Sequence, residues 1–306
     1  MFFEGSEKKI ELHIDPSAKS LRAYPRHFWQ QALAMADASI LSNLSNSHCD
    51  AYVLSESSLF VWQHKLLLIT CGNTRLIDTV LFIIEKIGTD HISGLNYQRK
   101  SEFLPHLQTT QFEDDIALLK AKVSGTAYRI GHLDSHHHYL FTASQPIKHE
   151  MSACLLMYHI EGEAAQYLRS AEQSCANIRR LLNLDRLLPQ FEFDDHLFQP
   201  CGYSINGLFE DKFLTIHITP QERSSYVSVE TNVNFLQYPF NIFAELLKVL
   251  NPRSWDIIGL NTQIDPLDFP SNRRLASCDL QLNQHNNFNY YHYIQAEGET
   301  LIAEVL

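Results

Sequence analysis

The 306-residue chain has no C-x-x-C pair. Its six cysteines, Cys49, Cys71, Cys154, Cys175, Cys201 and Cys278, are widely scattered. This spacing argues against a zinc ribbon or a thioredoxin-like redox motif and fits free thiols in a reducing compartment. Basic charge is scarce too: 24 lysines and arginines face 35 aspartates and glutamates, a formal charge of -11. Nucleic-acid binders carry basic patches, so no nucleic-acid partner is expected. No run reaches 18 uninterrupted apolar residues, so no membrane span is expected. The opening MFFEGSEKKIELHI lacks a basic segment followed by an apolar one, so no secretory signal is expected and the cytoplasm is the expected compartment. Glycine and proline number only 11 each and never gather into a linker. The length suits one large domain or two ordinary ones.

Hydrophobic residues make up 45% of the chain, enough for a large core. Four segments have helical period: 25–41, 74–88, 162–182 and 240–252. In the second, Leu76, Val80, Ile83 and Ile84 share a face, with Thr74 as a cap and Gly88 as a stop. In the fourth, Ile242, Leu246, Val249 and Leu250 share a face, and Pro252 ends it. Most of the rest is strand-like, as in KLLLIT (65–70), HHYLFTA (137–143), KFLTIHIT (212–219), SYVSVET (225–231) and FNYYHYIQA (288–296). Strict β-α-β alternation is missing, so the expected class is α+β, with helices outside antiparallel sheets. A faint repeat pairs Ser57, Lys65, Leu67 and Ile69 with Ser204, Lys212, Leu214 and Ile216.

Singly, the reactive residues read blandly. Glu4 and Glu7 fit an exposed strand edge, Cys71 a small core residue, Ser204 a turn and His217 a partly buried histidine. The run HLDSHHHYL (132–140) reads as a solvated hairpin, because neighbours on a strand face opposite ways. No metal is assigned to it or to the rest of the chain.

Together they read otherwise. FFEGSEKK (2–9), YVLSESSLFV (52–61), TCGNT (70–74), QPCGYSING (199–207), TIHITP (215–220) and SYVSVETN (225–232) stand in that order. They resemble the signature segments of the eukaryotic-type S-adenosylmethionine decarboxylase family, and the resemblance runs from residue 2 to about residue 250. It implies one domain over residues 1–306, a four-layer α-β-β-α sandwich of two similar halves at about 1–150 and 151–306. It also implies a proenzyme that cuts itself between Glu56 and Ser57. In that reaction the Ser57 hydroxyl attacks the Glu56 carbonyl, and elimination and hydrolysis leave a short chain (1–56) and a long chain (57–306). The long chain then begins with a pyruvoyl group made from Ser57, the implied cofactor.

The resemblance further assigns roles. Ser204 hydrogen-bonds the developing oxyanion and His217 removes the α-proton during processing; an imidazole suits that work because it titrates near neutrality. Cys71 reprotonates the substrate carbon, and Glu7 joins the catalytic group. Phe3 and Phe198 sandwich the adenine, an arrangement suited to a flat base and a nearby sulfonium. Glu4 and Glu56 line the substrate pocket. Gln221 stands where members commonly carry a glutamate for the ribose hydroxyls, and Glu222, next along a strand, would face away. The implied activity converts S-adenosylmethionine to the aminopropyl donor for spermidine. Alternatives are a pyruvoyl decarboxylase of ornithine or arginine, and a non-catalytic paralogue that activates a partner subunit. Monomer and homodimer are both admitted. Acidic positions of the diamine site correspond to Glu11, Glu150 and Glu230. Ile69 stands where animal members carry a lysine, so a basic partner is expected to be missing and stimulation by putrescine is not expected.

Overall fold

The structure, a computed structural model, describes residues 2–143, 147–234, 240–262 and 272–296. Two eight-stranded antiparallel sheets organise them. The first holds β1 (Lys8–Ile14), β2 (Ile40–Ser45), β3 (Asp50–Leu54), β4 (Ser57–Val61), β5 (Lys65–Thr70), β6 (Ile92–Lys100), β7 (Gly125–Gly131) and β8 (His137–Ala143). The second holds β9 (Ser152–Ile160), β10 (Glu192–Leu197), β11 (Tyr203–Phe209), β12 (Lys212–Thr219), β13 (Tyr226–Thr231), β14 (Pro252–Leu260), β15 (Asn272–Gln281) and β16 (Asn287–Gln295). Their orders are β2-β3-β4-β5-β1-β6-β8-β7 and β10-β11-β12-β13-β9-β14-β16-β15. Adding eight to each strand number of the first gives the second, so the two sheets share one topology.

Helices α1 (Arg26–Ala34), α2 (Leu76–Ile87) and α3 (Phe112–Lys120) pack on the outer face of the first sheet. Helices α4 (Gly162–Arg169), α5 (Cys175–Leu181), the single turn α6 (Leu184–Leu187) and α7 (Ile242–Leu250) cover the second. The expected α-β-β-α layering is present. It explains why β5 is buried at every position. Leu66 and Leu68 belong to the core under the helices, while Leu67 and Ile69 join Phe60 and Phe213 between the sheets. Alternation therefore sends polar residues of central strands into the space between the sheets. On β1, Ile10, Leu12 and Ile14 enter the helix-side core. Lys9 and Glu11 reach residues of the second sheet and of the segment before it.

Several expectations need correction. The helix expected over 25–41 ends at Ala34, because Asp37 takes a left-handed φ of 56° and Ile40 opens a strand. The segment 162–182 splits into two helices, and Ser174 caps the second by accepting from the Asn177 amide. Thr74 is not the cap of α2; its hydroxyl bonds Thr70 Oγ1 and the Cys71 carbonyl instead. Gly88 does end that helix, at φ 94°. The repeat is real in topology, but Ser57 and Ser204 do not mark it. Ser57 lies on β4 and Ser204 on β11, whose counterpart is β3. The run 132–140 does form a hairpin with an exposed tip, yet it is not wholly solvated. His138 is buried against Gln98, and His136 stacks on Tyr158 at 4.4 Å.

Candidate active site

The Glu56–Ser57 junction lies where β4 begins, with Ser57 paired to Leu54 on one side and Thr70 on the other. Both neighbours are regular strands, yet Ser57 has a φ of 139°. A side-chain-bearing residue held in that region stores strain, on the order of 1–3 kcal/mol. The Ser57 hydroxyl is buried and has no hydrogen-bond partner. The carbonyl it follows is well served. Glu56 O accepts from the Cys71 amide at 3.0 Å and from the Cys71 thiol at 3.3 Å. Gly72 allows this turn through its left-handed φ of 67°, and a side chain there would press on the Glu56 carboxylate and the Phe3 ring.

Across the inter-sheet space, β11 and β12 pair Ser204 with His217. Ser204 Oγ lies 2.8 Å from His217 Nδ1, and Thr215 Oγ1 lies 2.9 Å from Nε2. Burial depresses the His217 imidazole to about 3, so the ring is neutral near neutral pH. Burial, followed by the carboxylates of Glu56 and Glu7, raises the Cys71 thiol well above its usual range and keeps it protonated.

One cleft of about 400 Å³ brings together Phe3, Glu56, Ser57, Cys71, Phe198, Ser204, His217 and Gln221. Phe3 precedes β1 of the first sheet and Phe198 follows β10 of the second, 195 residues apart in sequence, and Gln221 Oε1 accepts from the Phe3 amide at 3.2 Å. Glu222 is exposed, as expected, though for a different reason: β12 ends at Thr219 and residues 222–224 form a turn.

Two predicted residues lie outside this cleft. Glu4 is buried and not an exposed edge. Its carboxylate accepts from the amides of Ser6, Phe103 and Leu104, and it borders a neighbouring cavity with Phe3 and Glu56. Glu7 is also buried, accepting from Ser228, the β13 residue opposite His217. Burial raises its carboxyl to about 8; the Ser228 bond and Lys9 oppose the shift and Glu230 adds to it. The expected lack of a basic partner near the acidic positions is overturned. Lys9 Nζ sits 2.7 Å from Glu230 and Lys65 Nζ 2.5 Å from Glu150. The lysines come from β1 and from the start of β5, not from position 69.

Sequence reasoning missed several polar residues of the site. Lys8 donates to the Gly72 carbonyl at 2.9 Å and to Gln108 at 2.7 Å, bracing the turn after Cys71; burial lowers its amine to about 8. Ser58 donates to Asn206 at 2.7 Å and lies 3.5 Å from Thr215, tying the two sheets together beside His217. The period-two rule could have found Asn206 and Thr215, since each lies two positions from Ser204 or His217 on the same strand face.

The family described as "Adenosylmethionine decarboxylase" matches residues 1–299. The chain is similar to an "S-adenosylmethionine decarboxylase proenzyme" of Xenopus laevis, 33% identical over 83% of this chain and 82% of that one. It is likewise similar to proteins of the same name from Drosophila melanogaster (33% identical, covering 78% and 76%) and Leishmania donovani (30% identical, covering 84% and 72%). Its fold resembles the crystal structure of the Trypanosoma brucei AdoMetDC-delta26 monomer, with a TM-score of 0.62 at 20% identity, over 78% of this chain and 98% of that one. The chain belongs to the adenosylmethionine decarboxylase family.

Proposed function

We infer that the chain is a proenzyme that cuts itself between Glu56 and Ser57 and then decarboxylates S-adenosylmethionine to the aminopropyl donor for spermidine synthesis. The observation that carries the self-processing is the Glu56–Ser57 junction. Its serine is strained and its hydroxyl is free of other partners, while its carbonyl already faces two donors. In an N-to-O acyl shift the C–N bond of Glu56 breaks as the Oγ–C bond forms, and negative charge develops on Glu56 O. Cys71, rather than Ser204, whose hydroxyl bonds His217, holds that oxygen, and the shift releases the strained peptide. Removal of the Ser57 α-proton needs an unprotonated base; buried His217 is neutral, but burial also makes it a weaker base than the near-neutral imidazole the sequence suggests.

The residues fit the pyruvoyl group that would follow. Once made, it supplies a carbonyl that takes up the electrons released with carbon dioxide. Around it, Cys71 Sγ carries a proton for the substrate carbon, and Phe3 and Phe198 supply flat apolar faces for the adenine. The short chain 1–56 would remain bound after cleavage, because β1 sits inside the first sheet between β5 and β6. The six cysteines are unpaired, which supports a reducing, cytoplasmic setting. Among the described residues, no helix is long and apolar enough to cross a membrane.

Intact mass spectrometry of freshly purified and incubated protein tests the cleavage. The 35.3 kDa chain should yield fragments ending at residue 56 and beginning at residue 57, and Ser57→Ala should stay whole. A parent chain that never cleaves would remove both the cofactor and the processing mechanism. Labelled carbon dioxide release from S-adenosylmethionine, ornithine and arginine in parallel tests the substrate, and release from ornithine or arginine alone would overturn it.

A further inference from the structure

We propose that Glu11, His13 and His149 form a binding site for one divalent transition-metal ion, with Zn²⁺ the ion their geometry suits best. Glu11 and His13 lie on β1, two residues apart, and His149 lies in the segment leading to β9. Glu11 Oε1 is 2.6 Å from His13 Nε2 and 3.3 Å from His149 Nδ1, and the two nitrogens are 3.1 Å apart. Two imidazoles and a carboxylate form an established zinc donor set, leaving a fourth position for water. Around a tetrahedral Zn²⁺ with ligands at about 2.0–2.1 Å, neighbouring donor atoms stand roughly 3.4 Å apart. Two edges of the triangle are already within about 0.3 Å of that value, and the third need open by less than about 1 Å.

The surroundings point the same way. The Asn96 amide nitrogen is 3.5 Å from both His149 ring nitrogens, and Asn96 Oδ1 is buried without a partner. The His149 main chain is held at both ends: its amide donates to Asn286 at 2.8 Å and its carbonyl accepts from Asn261 at 2.7 Å. The nearest cations are already matched, Lys65 with Glu150 and Lys9 with Glu230. A cleft of about 820 Å³, lined by His13, His64, Lys65 and Glu150 among others, provides an entry path. The site is distinct from the histidine run 136–138.

The test is a calorimetric titration of chelator-stripped, full-length protein with Zn²⁺, repeated with Co²⁺ followed by absorbance. One ion per chain is expected, with a Co²⁺ spectrum that lacks a thiolate charge-transfer band. Affinity should fall as the pH is lowered, since the ligands bind metal only when deprotonated. Glu11→Gln, which keeps the side-chain shape, and His149→Ala should each weaken binding by at least about tenfold. His132→Ala, on the exposed hairpin tip, should bind as the parent does. Circular dichroism of each variant confirms that it is folded, and His13→Gln replaces any variant that is not. A parent that takes up no Zn²⁺ at micromolar concentration overturns the proposal. So does binding that survives unchanged in Glu11→Gln, or a Co²⁺ spectrum dominated by thiolate.

Discussion

Replacing Glu7 by glutamine should flatten the pH dependence of stability between pH 5 and 8. Burial lifts the Glu7 carboxyl from 4.5 to about 8. Between those values the folded chain keeps a proton that the unfolded chain has released. Stability is therefore full below the unfolded value and is lost as the pH rises toward the folded one. Each pH unit in that window costs the native state up to about 1.4 kcal/mol. Lys9 draws the carboxyl down and Glu230 pushes it up, so we take the loss between pH 5 and 8 as about 2 to 4 kcal/mol. Glutamine matches the shape of the neutral acid, can still accept from Ser228, and does not ionise. The comparison is best made in Ser57→Ala, so that both chains stay whole. Thermal melts at pH 5, 6, 7 and 8 should show Glu7→Gln gaining on its parent by about 4 to 8 °C, taking about 2 °C per kcal/mol for a chain of this size. Parallel pH profiles would mean that Glu7 ionises as an ordinary carboxyl and that the burial argument fails.

Cys71→Ala should still cleave at Glu56–Ser57, though more slowly through loss of the thiol donor to Glu56 O. It should turn over S-adenosylmethionine poorly and lose its cofactor by transamination; undiminished carbon dioxide release over many turnovers would return the thiol to a packing role. Gln221→Glu should tighten S-adenosylmethionine binding by about tenfold, since a charge-assisted pair to two hydroxyls exceeds a neutral one by about 1 to 2 kcal/mol. An unchanged KM would show that the ribose does not meet this side chain. Lys9→Met should destabilise the fold by about 3 to 5 kcal/mol, because it leaves Glu230 buried without its cation; a denaturant midpoint equal to that of the parent would refute the pairing.

The residues that line the candidate active site were legible in the sequence because their motifs are local. LSESSLF, TCG, CGYS and IHITP each place a reactive group at a strand end or on a strand face, and strand alternation decides which neighbours share that face. The strands 65–70, 137–143 and 212–219 fall where the residue pattern puts them. Long helices were overdrawn, since periodicity does not register a left-handed residue such as Asp37 or a capping serine such as Ser174. What only the tertiary structure decided is the space between the sheets. Glu4 and Glu7 look like an exposed edge until the segment 103–104 covers the one and the second sheet the other. Lys9 finds Glu230 across 221 residues, and Glu11 and His13 find His149 across more than 130. No local pattern encodes such meetings, because the free energy of burying a charge depends on which partner the fold brings within reach.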